Sequence, residues 1–482
     1  MTANTPELEL PLDPLRQRIH SVFESQRVFA PSLRGSSASE RITKIRRLKA
    51  SFLASLNELR AAAQADFGKP SAEVDFWEAT AVVAEANHVI RNLASWMRPR
   101  RVASTLALMG TSSQVRCEPR GVCLIVAPWN YPFNLSFVPL IDAIAAGNTA
   151  ILKPSELAPH MSAVIAKIVR ETFDEHEVAV FEGDAETAAA LLELPFDHVF
   201  FTGSPRLGSV VMAAAARHLS SVTLELGGKS PAIVDESADL DHAVSRLLWG
   251  KFSNAGQTCF APDYVLVHEN VQEAFLDRFR GAIERTYGQD ADSRMASGDF
   301  ARIVNDRHFL RLRALLDDAK QRGATVIVGG EVSSTDRYIG PTVIAGLPPD
   351  SAVMQEEVFG PLLPVQSFQH LEQAIAEVNR RDKPLALYLF SKHRKHIDQV
   401  LTQTSAGGTC INGTSLQAMN PNLPFGGVNS SGIGAYHGIH GFRAFSHERS
   451  VIRIRFTSLD LFHPPYTNLV KRMIAFSMKW FV

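Results

Sequence analysis

Cysteine is scarce: Cys117, Cys123, Cys259 and Cys410 are the only four in 482 residues. So few cannot build a disulfide scaffold, and they fit a reducing compartment. An excess of one charge is also lacking, since 49 Lys and Arg offset 50 Asp and Glu to leave a net charge of −1. That balance gives no support to nucleic-acid binding. No uncharged apolar stretch reaches the length of about 18 residues needed to span a bilayer. The best run, Phe133 to Ala146, is short and holds Asp142. Met1 to Pro14 carries Glu7, Glu9 and Asp13 where a leader would need a basic start and an apolar run, so no targeting segment is read. Short-period repeats and low-complexity tracts are missing as well. A soluble cytoplasmic protein is the expectation.

What is there is core-forming material. Apolar residues make up 45% of the chain, enough to exclude disorder as the default state. At roughly 150 residues per domain the length suggests about three domains. From Leu15 to Met97 apolar residues recur at helical spacing, clearest through Arg41–Ala63 and Glu73–Trp96. The pattern then changes. Gly121–Ala127 reads as a buried strand that stops at Pro128, followed by a helix over 133–146 and a strand over 149–152. Helices at 161–172, 186–192 and 206–218 alternate with strands at 196–201 and 222–226. The alternation resumes with strands at 231–234, 263–267 and 325–328 and helices at 240–252, 271–287 and 371–379. Such a rhythm predicts an α/β fold with parallel sheets covered on both faces, split into two tandem domains. Residues 406–441 are rich in Gly and Asn and read as a long irregular segment, with strand over 450–456 after it.

Several loops at strand ends could carry chemistry. Cys259 lies in Asn254-Ala255-Gly256-Gln257-Thr258-Cys259-Phe260. A free cysteine is usually a small buried hydrophobe. Here Gly256 permits a tight turn, and the polar neighbours suit a core strand poorly. A thiol so placed can be exposed, and becomes a nucleophile if nearby dipoles lower its pKa from about 8.5. Cys123 inside a strand, Cys117 before one and Cys410 at the end of a Gly-Gly-Thr turn look structural. Glu225 ends an apolar strand just before Gly227 and Gly228; it is either a solvated strand end or a general base with a raised pKa. Phe201-Thr202-Gly203-Ser204 leads into a helix with Gly208 five residues after Gly203. It can cradle a phosphate or be an ordinary strand-to-helix turn, and it lacks the dinucleotide glycine spacing. Lys153-Pro154-Ser155-Glu156 could bind a ribose diol or simply cap a helix. Asn130, between Trp129 and Tyr131 in a loop flanked by Pro128 and Pro132, could donate to an oxyanion or belong to a rigid turn.

In this order and spacing the motifs Pro128-Trp129-Asn130, Lys153-Pro154-Ser155-Glu156, Phe201-Thr202-Gly203-Ser204, Leu224-Glu225-Leu226-Gly227-Gly228-Lys229, Gly256-Gln257-Thr258-Cys259 and Glu356-Glu357-Val358-Phe359-Gly360-Pro361 resemble the aldehyde dehydrogenase superfamily. The resemblance spans roughly residues 40 to 463. Ala261-Pro262-Asp263-Tyr264, Pro424-Phe425-Gly426-Gly427-Val428 and Ser431 through Gly438 are similar to the class-three and fatty-aldehyde branch, in the neighbourhood of coniferyl aldehyde dehydrogenases. It implies an NAD(P)-binding domain (1–99 and 120–225), a catalytic domain (226–409), a bridging region that joins two subunits (100–119 and 410–460) and a tail helix (461–482). Cys259 would be the nucleophile and Glu225 the base, with Glu357 sharing that role. Asn130 and the Cys259 backbone N–H would bind the oxyanion. Lys153 and Glu156 would hold the adenosine ribose, and Gly203 and Ser204 the pyrophosphate near Gly208. Glu357 and Phe359 would position the nicotinamide, next to Trp129. No metal is expected. Tyr131, Leu135 and Phe260 neighbour these residues and suggest an apolar pocket. Glu156 disfavours a 2′-phosphate, so NAD is expected over NADP, which is still accepted. The expected reaction takes an apolar aldehyde to its acid. A CoA-acylating or acyl-phosphate-reducing enzyme, or a silent scaffold, are the alternatives; a base at Glu225 argues for hydrolysis. The tail from Tyr466 has no acid and sets Val470, Met473, Ile474 and Phe481 on one helical face. It suits a cover for the substrate entrance, its own or its dimer partner's, or a peripheral membrane contact.

Overall fold

The computed structural model describes residues 13–105, 108, 110–456, 460 and 462–480. Residues 1–12 and 481–482, and with them Phe481, lie outside the described residues.

The first sheet follows from strands that are apolar on both faces, which must be covered on both sides. Its order is Gly432–Ile433, Ser221–Glu225, His198–Thr202, Val122–Val126, Thr149–Lys153, Val178–Val180. All pairings are parallel except that of Gly432–Ile433. The chain starts in the middle at Val122–Val126, runs outward through Thr149–Lys153, then returns to the other side at His198–Thr202. The crevice outside the carboxyl ends of Val122–Val126 and His198–Thr202 is therefore the switch point where open α/β sheets place ligands. Register puts Val126 beside Lys153 and Phe201, and Thr202 beside Glu225. The motif-bearing strand ends thus share one edge.

A second, seven-stranded sheet runs Thr325–Val328, Thr342–Ala345, Leu362–Phe368, Tyr264–His268, Pro231–Val234, Ala386–Phe390, Gly408–Ile411. It packs its own core, including Phe252, Phe275, Phe279, Leu312 and Tyr388. A three-stranded antiparallel sheet joins Arg100–Val102, Thr111–Pro119 and Ser446–Ile454. Helices Pro14–Leu33, Ala38–Ala54, Leu56–Phe67 and Thr80–Trp96 precede these sheets. Ser37 and Glu40 form a capping box that starts the second of them, and Ser55 interrupts the run read as helical over 41–63.

The α/β expectation holds. The irregular reading of 406–441 holds only in part. This segment contains the edge strand Gly408–Ile411, a short helix Leu416–Met419, and Gly432–Ile433 paired with the strand that ends in Glu225. Cys410 consequently sits in a strand, not at the end of a turn. The glycines there serve close approach: a Cβ on Gly407 would stand 2.2 Å from the Gly426 carbonyl oxygen. The strand read at 450–456 begins earlier, at Ser446, and ends at Ile454. The tail forms a helix over Asn468–Trp480, with Val470, Met473 and Ile474 partly covered. Among the described residues no helix is long and apolar enough to cross a membrane.

Candidate active site

The turn that carries Cys259 is built from left-handed backbone. Asn254, Ala255 and Gly256 have φ of 54°, 50° and 74°. Only the last suits its residue type without cost, and non-glycine strain of this kind collects at functional sites. Gly256 is obligatory, since a Cβ there would lie 2.2 Å from the Gly360 carbonyl oxygen. Buried side chains hold the turn. The Gln257 amide nitrogen donates to the carbonyls of Asn254 and Arg302, both at 3.0 Å, and its oxygen accepts from Val304 N–H at 3.0 Å. Asn254 and Gln257, expected to resist a core, are fully buried; they satisfy the backbone of this turn and of the segment beside it.

Cys259 is partly buried, and two cavities reach it. One is apolar and aromatic, walled by Phe76, Trp77, Tyr131, Leu135, Phe260 and Phe425. Trp77 stacks on Trp249 with ring centroids 4.7 Å apart, which stiffens that wall. Glu85 also lines it, beside Asp142, and burial raises the pKa of both carboxyls. The second cavity opens at the switch point and is lined by Trp129, Asn130, Gly203, Ser204, Glu357 and Phe359. Cys259, Glu225 and Thr202 belong to both.

Asn130 is 3% exposed. Its side-chain nitrogen donates one hydrogen to the Gln257 carbonyl at 3.0 Å, and its second hydrogen has no such partner among the described residues. Glu225 is 2% exposed, and neither carboxyl oxygen finds a hydrogen-bond partner among the described residues. Burial alone pushes its pKa well above the ordinary carboxylate value. Burial likewise raises Glu357 to about 8, although Gly228 N–H donates to it at 3.1 Å.

The dipoles of the turn do not by themselves carry the thiol pKa down. Burial, then the Glu357 and Glu225 carboxyls, push the Cys259 thiol up, and the N–H groups of Phe260 and Cys259 offset this only in part. The turn is local in sequence, whereas the two carboxyls arrive from distant strands and loops.

Of the other anticipated residues, Lys153, Glu156 and Gly208 do not line the cavity walls around Cys259. Lys153 ends its strand on the same sheet edge and pairs with Glu156 at 2.9 Å. Gly208 lies where a Cβ would meet Leu226 at 2.7 Å, so it lets the helix Pro205–Ala216 approach the sheet. Ser204 caps that helix, accepting from Leu207 N–H at 3.4 Å. Phe359 sits in left-handed backbone at φ 45° and packs edge-on against Trp129, centroids 5.5 Å apart. Sequence reasoning missed Phe76, Trp77, Thr202, His308, Phe425, Tyr436 and His437 as lining residues. Phe425, Tyr436 and His437 stood inside motifs already quoted; Phe76 and Trp77 gave no signal beyond helical periodicity.

The model of the aldehyde dehydrogenase family matches residues 16–451. The 4,4′-diaponeurosporen-aldehyde dehydrogenase of Staphylococcus aureus is 42% identical over 460 residues, 95% of this chain and 99% of that one. The dimeric NADP-preferring aldehyde dehydrogenase of Rattus norvegicus is 42% identical over 412 residues, 86% and 89% of the two chains. A solved structure of the substrate-bound state of Staphylococcus aureus AldH superposes with a TM-score of 0.90 at 42% identity, covering 95% of this chain and 99% of that one. With two cavities converging on one cysteine and a family match over nearly its whole length, this chain belongs to the aldehyde dehydrogenase family.

Proposed function

We propose that this enzyme oxidises apolar aldehydes, aromatic or of medium to long chain, to carboxylic acids with NAD(P). The observation that carries the reading is the meeting of an apolar tunnel and a switch-point crevice at Cys259, with Glu225 lining both. The aldehyde enters by the tunnel. The Cys259 thiol releases its proton to solvent, its sulfur adds to the aldehyde carbonyl carbon, and the Asn130 amide with the Cys259 backbone N–H receives the oxyanion of the thiohemiacetal. NAD(P) held in the crevice would supply the acceptor for the hydride whose loss turns the thiohemiacetal into a thioester. Glu225 then draws a proton from water, which attacks the Cys259 thioester and releases the acid.

The crevice fits a dinucleotide by the chemistry of its donors. Ser204 and the N-terminus of Pro205–Ala216 suit a pyrophosphate. Glu357 offers a carboxyl group to a ribose, and Trp129 and Phe359 offer flat faces to a nicotinamide. Lys153 and Glu156 would hold the adenosine ribose, and Gly208 lets the helix seat closely. Glu156, with its side chain 44% exposed, accepts from ribose hydroxyls and repels a 2′-phosphate, while Lys153 offsets part of that repulsion. NAD is accordingly preferred and NADP accepted. Residues 120–225 with the N-terminal helices form the dinucleotide domain, 226–409 the catalytic domain, and 100–119 with 410–460 the bridge. A CoA-acylating or acyl-phosphate-reducing course is disfavoured because Glu225 is free to activate water; a silent scaffold has no use for the same constellation.

A reduced-coenzyme assay across an aldehyde panel tests this reading. Highest kcat/KM is expected for long-chain or aromatic aldehydes with NAD. Best turnover on a short charged semialdehyde would refute the apolar tunnel, and equal efficiency with NADP would refute the preference.

The tail helix exposes Leu469 and carries Lys471 and Arg472. We read it as a cover for a substrate entrance within a homodimer, ahead of a peripheral membrane contact. Sedimentation of the full chain should give a dimer that stays in solution beside anionic vesicles. Monomers, or pelleting with vesicles, would reverse that reading.

A further inference from the structure

Behind Asn130 lies an ion pair with no contact to solvent. Lys69 follows the helix Leu56–Phe67 and the left-handed Gly68, while Glu78 comes from a single π-helical turn, Val74–Ala79. Both side chains are 0% exposed, and Lys69 Nζ lies 2.6 Å from Glu78 Oε1. The same Nζ donates to the Asn130 carbonyl at 3.2 Å and stands 4.0 Å from the Tyr131 ring centroid. Glu78 Oε2 accepts from Phe133 N–H at 2.8 Å. The pair therefore grips the Asn130 loop at both ends. Asn254 Nδ2 adds a second donor to the Asn130 carbonyl at 2.9 Å, tying the loop to the cysteine turn. The π-turn, a feature frequent at functional sites, lets Trp77 face the tunnel while Glu78 faces Lys69.

Burying two charges carries a large desolvation cost, and an apolar pair of equal volume would often be as stable. Stability alone does not explain the pair; fixing the geometry of one loop does. We infer that Lys69 and Glu78 are positioning residues that aim the Asn130 side-chain amide at the oxyanion forming beside Cys259. This inference rests on the reading of Asn130 as the oxyanion donor. The Lys69 ammonium holds the loop carbonyl, Glu78 holds the amide three residues on, and Gln257 takes one Asn130 hydrogen. The other is left for substrate.

A double-mutant cycle separates the two readings. One arm is Asn130→Ala, expected to lower kcat about 10²–10³-fold. The other is Lys69→Met with Glu78→Gln, which removes both charges together and keeps an acceptor for Phe133 N–H. That neutral pair should lower kcat about 10- to 100-fold, the scale of an ångström-level misplacement. The KM for NAD should stay unchanged, and the isotope effect with C1-deuterated aldehyde should rise. Combined with Asn130→Ala, it should cost no more than about twofold further. Unchanged kcat in the neutral pair, or losses that multiply in full, overturn the inference while leaving the oxyanion reading intact. An Asn130→Ala enzyme with normal kcat overturns the oxyanion reading, and this inference with it. If the neutral pair does not fold, Glu78→Gln alone runs the same cycle with the same outcomes.

Discussion

Replacing Cys259 with Ala is expected to abolish aldehyde-dependent NAD(P)H formation, a loss on the order of 10⁴-fold or more. Removal of a covalent nucleophile has effects of that size in other hydrolytic enzymes. No other sulfur can stand in. Cys123 is fully buried within Val122–Val126, and burial raises its thiol well above the ordinary value. Cys117 and Cys410 lie outside both cavities. The variant should fold and bind NAD as the parent does, because Gln257 and Asn254 hold the turn without help from the sulfur. Coenzyme binding by fluorescence titration, measured beside turnover, separates lost chemistry from lost structure. Turnover within tenfold of the parent would end the thioester mechanism.

Glu225→Gln should behave differently. Addition and oxidation proceed, so one equivalent of NADH appears per site, and the acyl-enzyme then persists. Loss of a general base costs typically 10²–10⁴-fold, here confined to the steady state after the burst. Residual hydrolysis falls to Glu357, held protonated up to about pH 8. A base works only when deprotonated, so this residual rate should climb as pH rises through about 8 and level off above it. Stopped-flow absorbance over a pH series reads both features. Unchanged steady-state rates in Glu225→Gln would transfer the base role to Glu357. A vanished burst would place Glu225 before the acyl-enzyme, in deprotonating Cys259.

Legibility in the sequence followed how local each cause was. Val122–Val126, Thr149–Lys153 and His198–Thr202 were readable because their apolar runs end at Pro128, Lys153 and Gly203. Leu362–Phe368 went unread although Leu362, Leu363 and Val365 are fully buried core; Pro361 and Pro364 argue against a central strand when seen in isolation. Val178–Val180 is too short to show a period. Phe76 and Trp77 reach the tunnel from the π-helical turn Val74–Ala79, far ahead of Cys259 in the chain, and no spacing rule links positions so distant.

By itself the sequence determined the α/β alternation and which polar residues stand in each strand-end loop, since periodicity and turn residues act over a few positions. It also carried the family resemblance through ordered motifs. Only the tertiary structure decided that the Cys259 sulfur stands where two cavities meet. It alone placed Glu225 and Glu357 around that thiol and sealed Lys69 and Glu78 behind Asn130. The physical reason is desolvation: a group's protonation and reach depend on everything packed around it, and those neighbours come from across the whole chain.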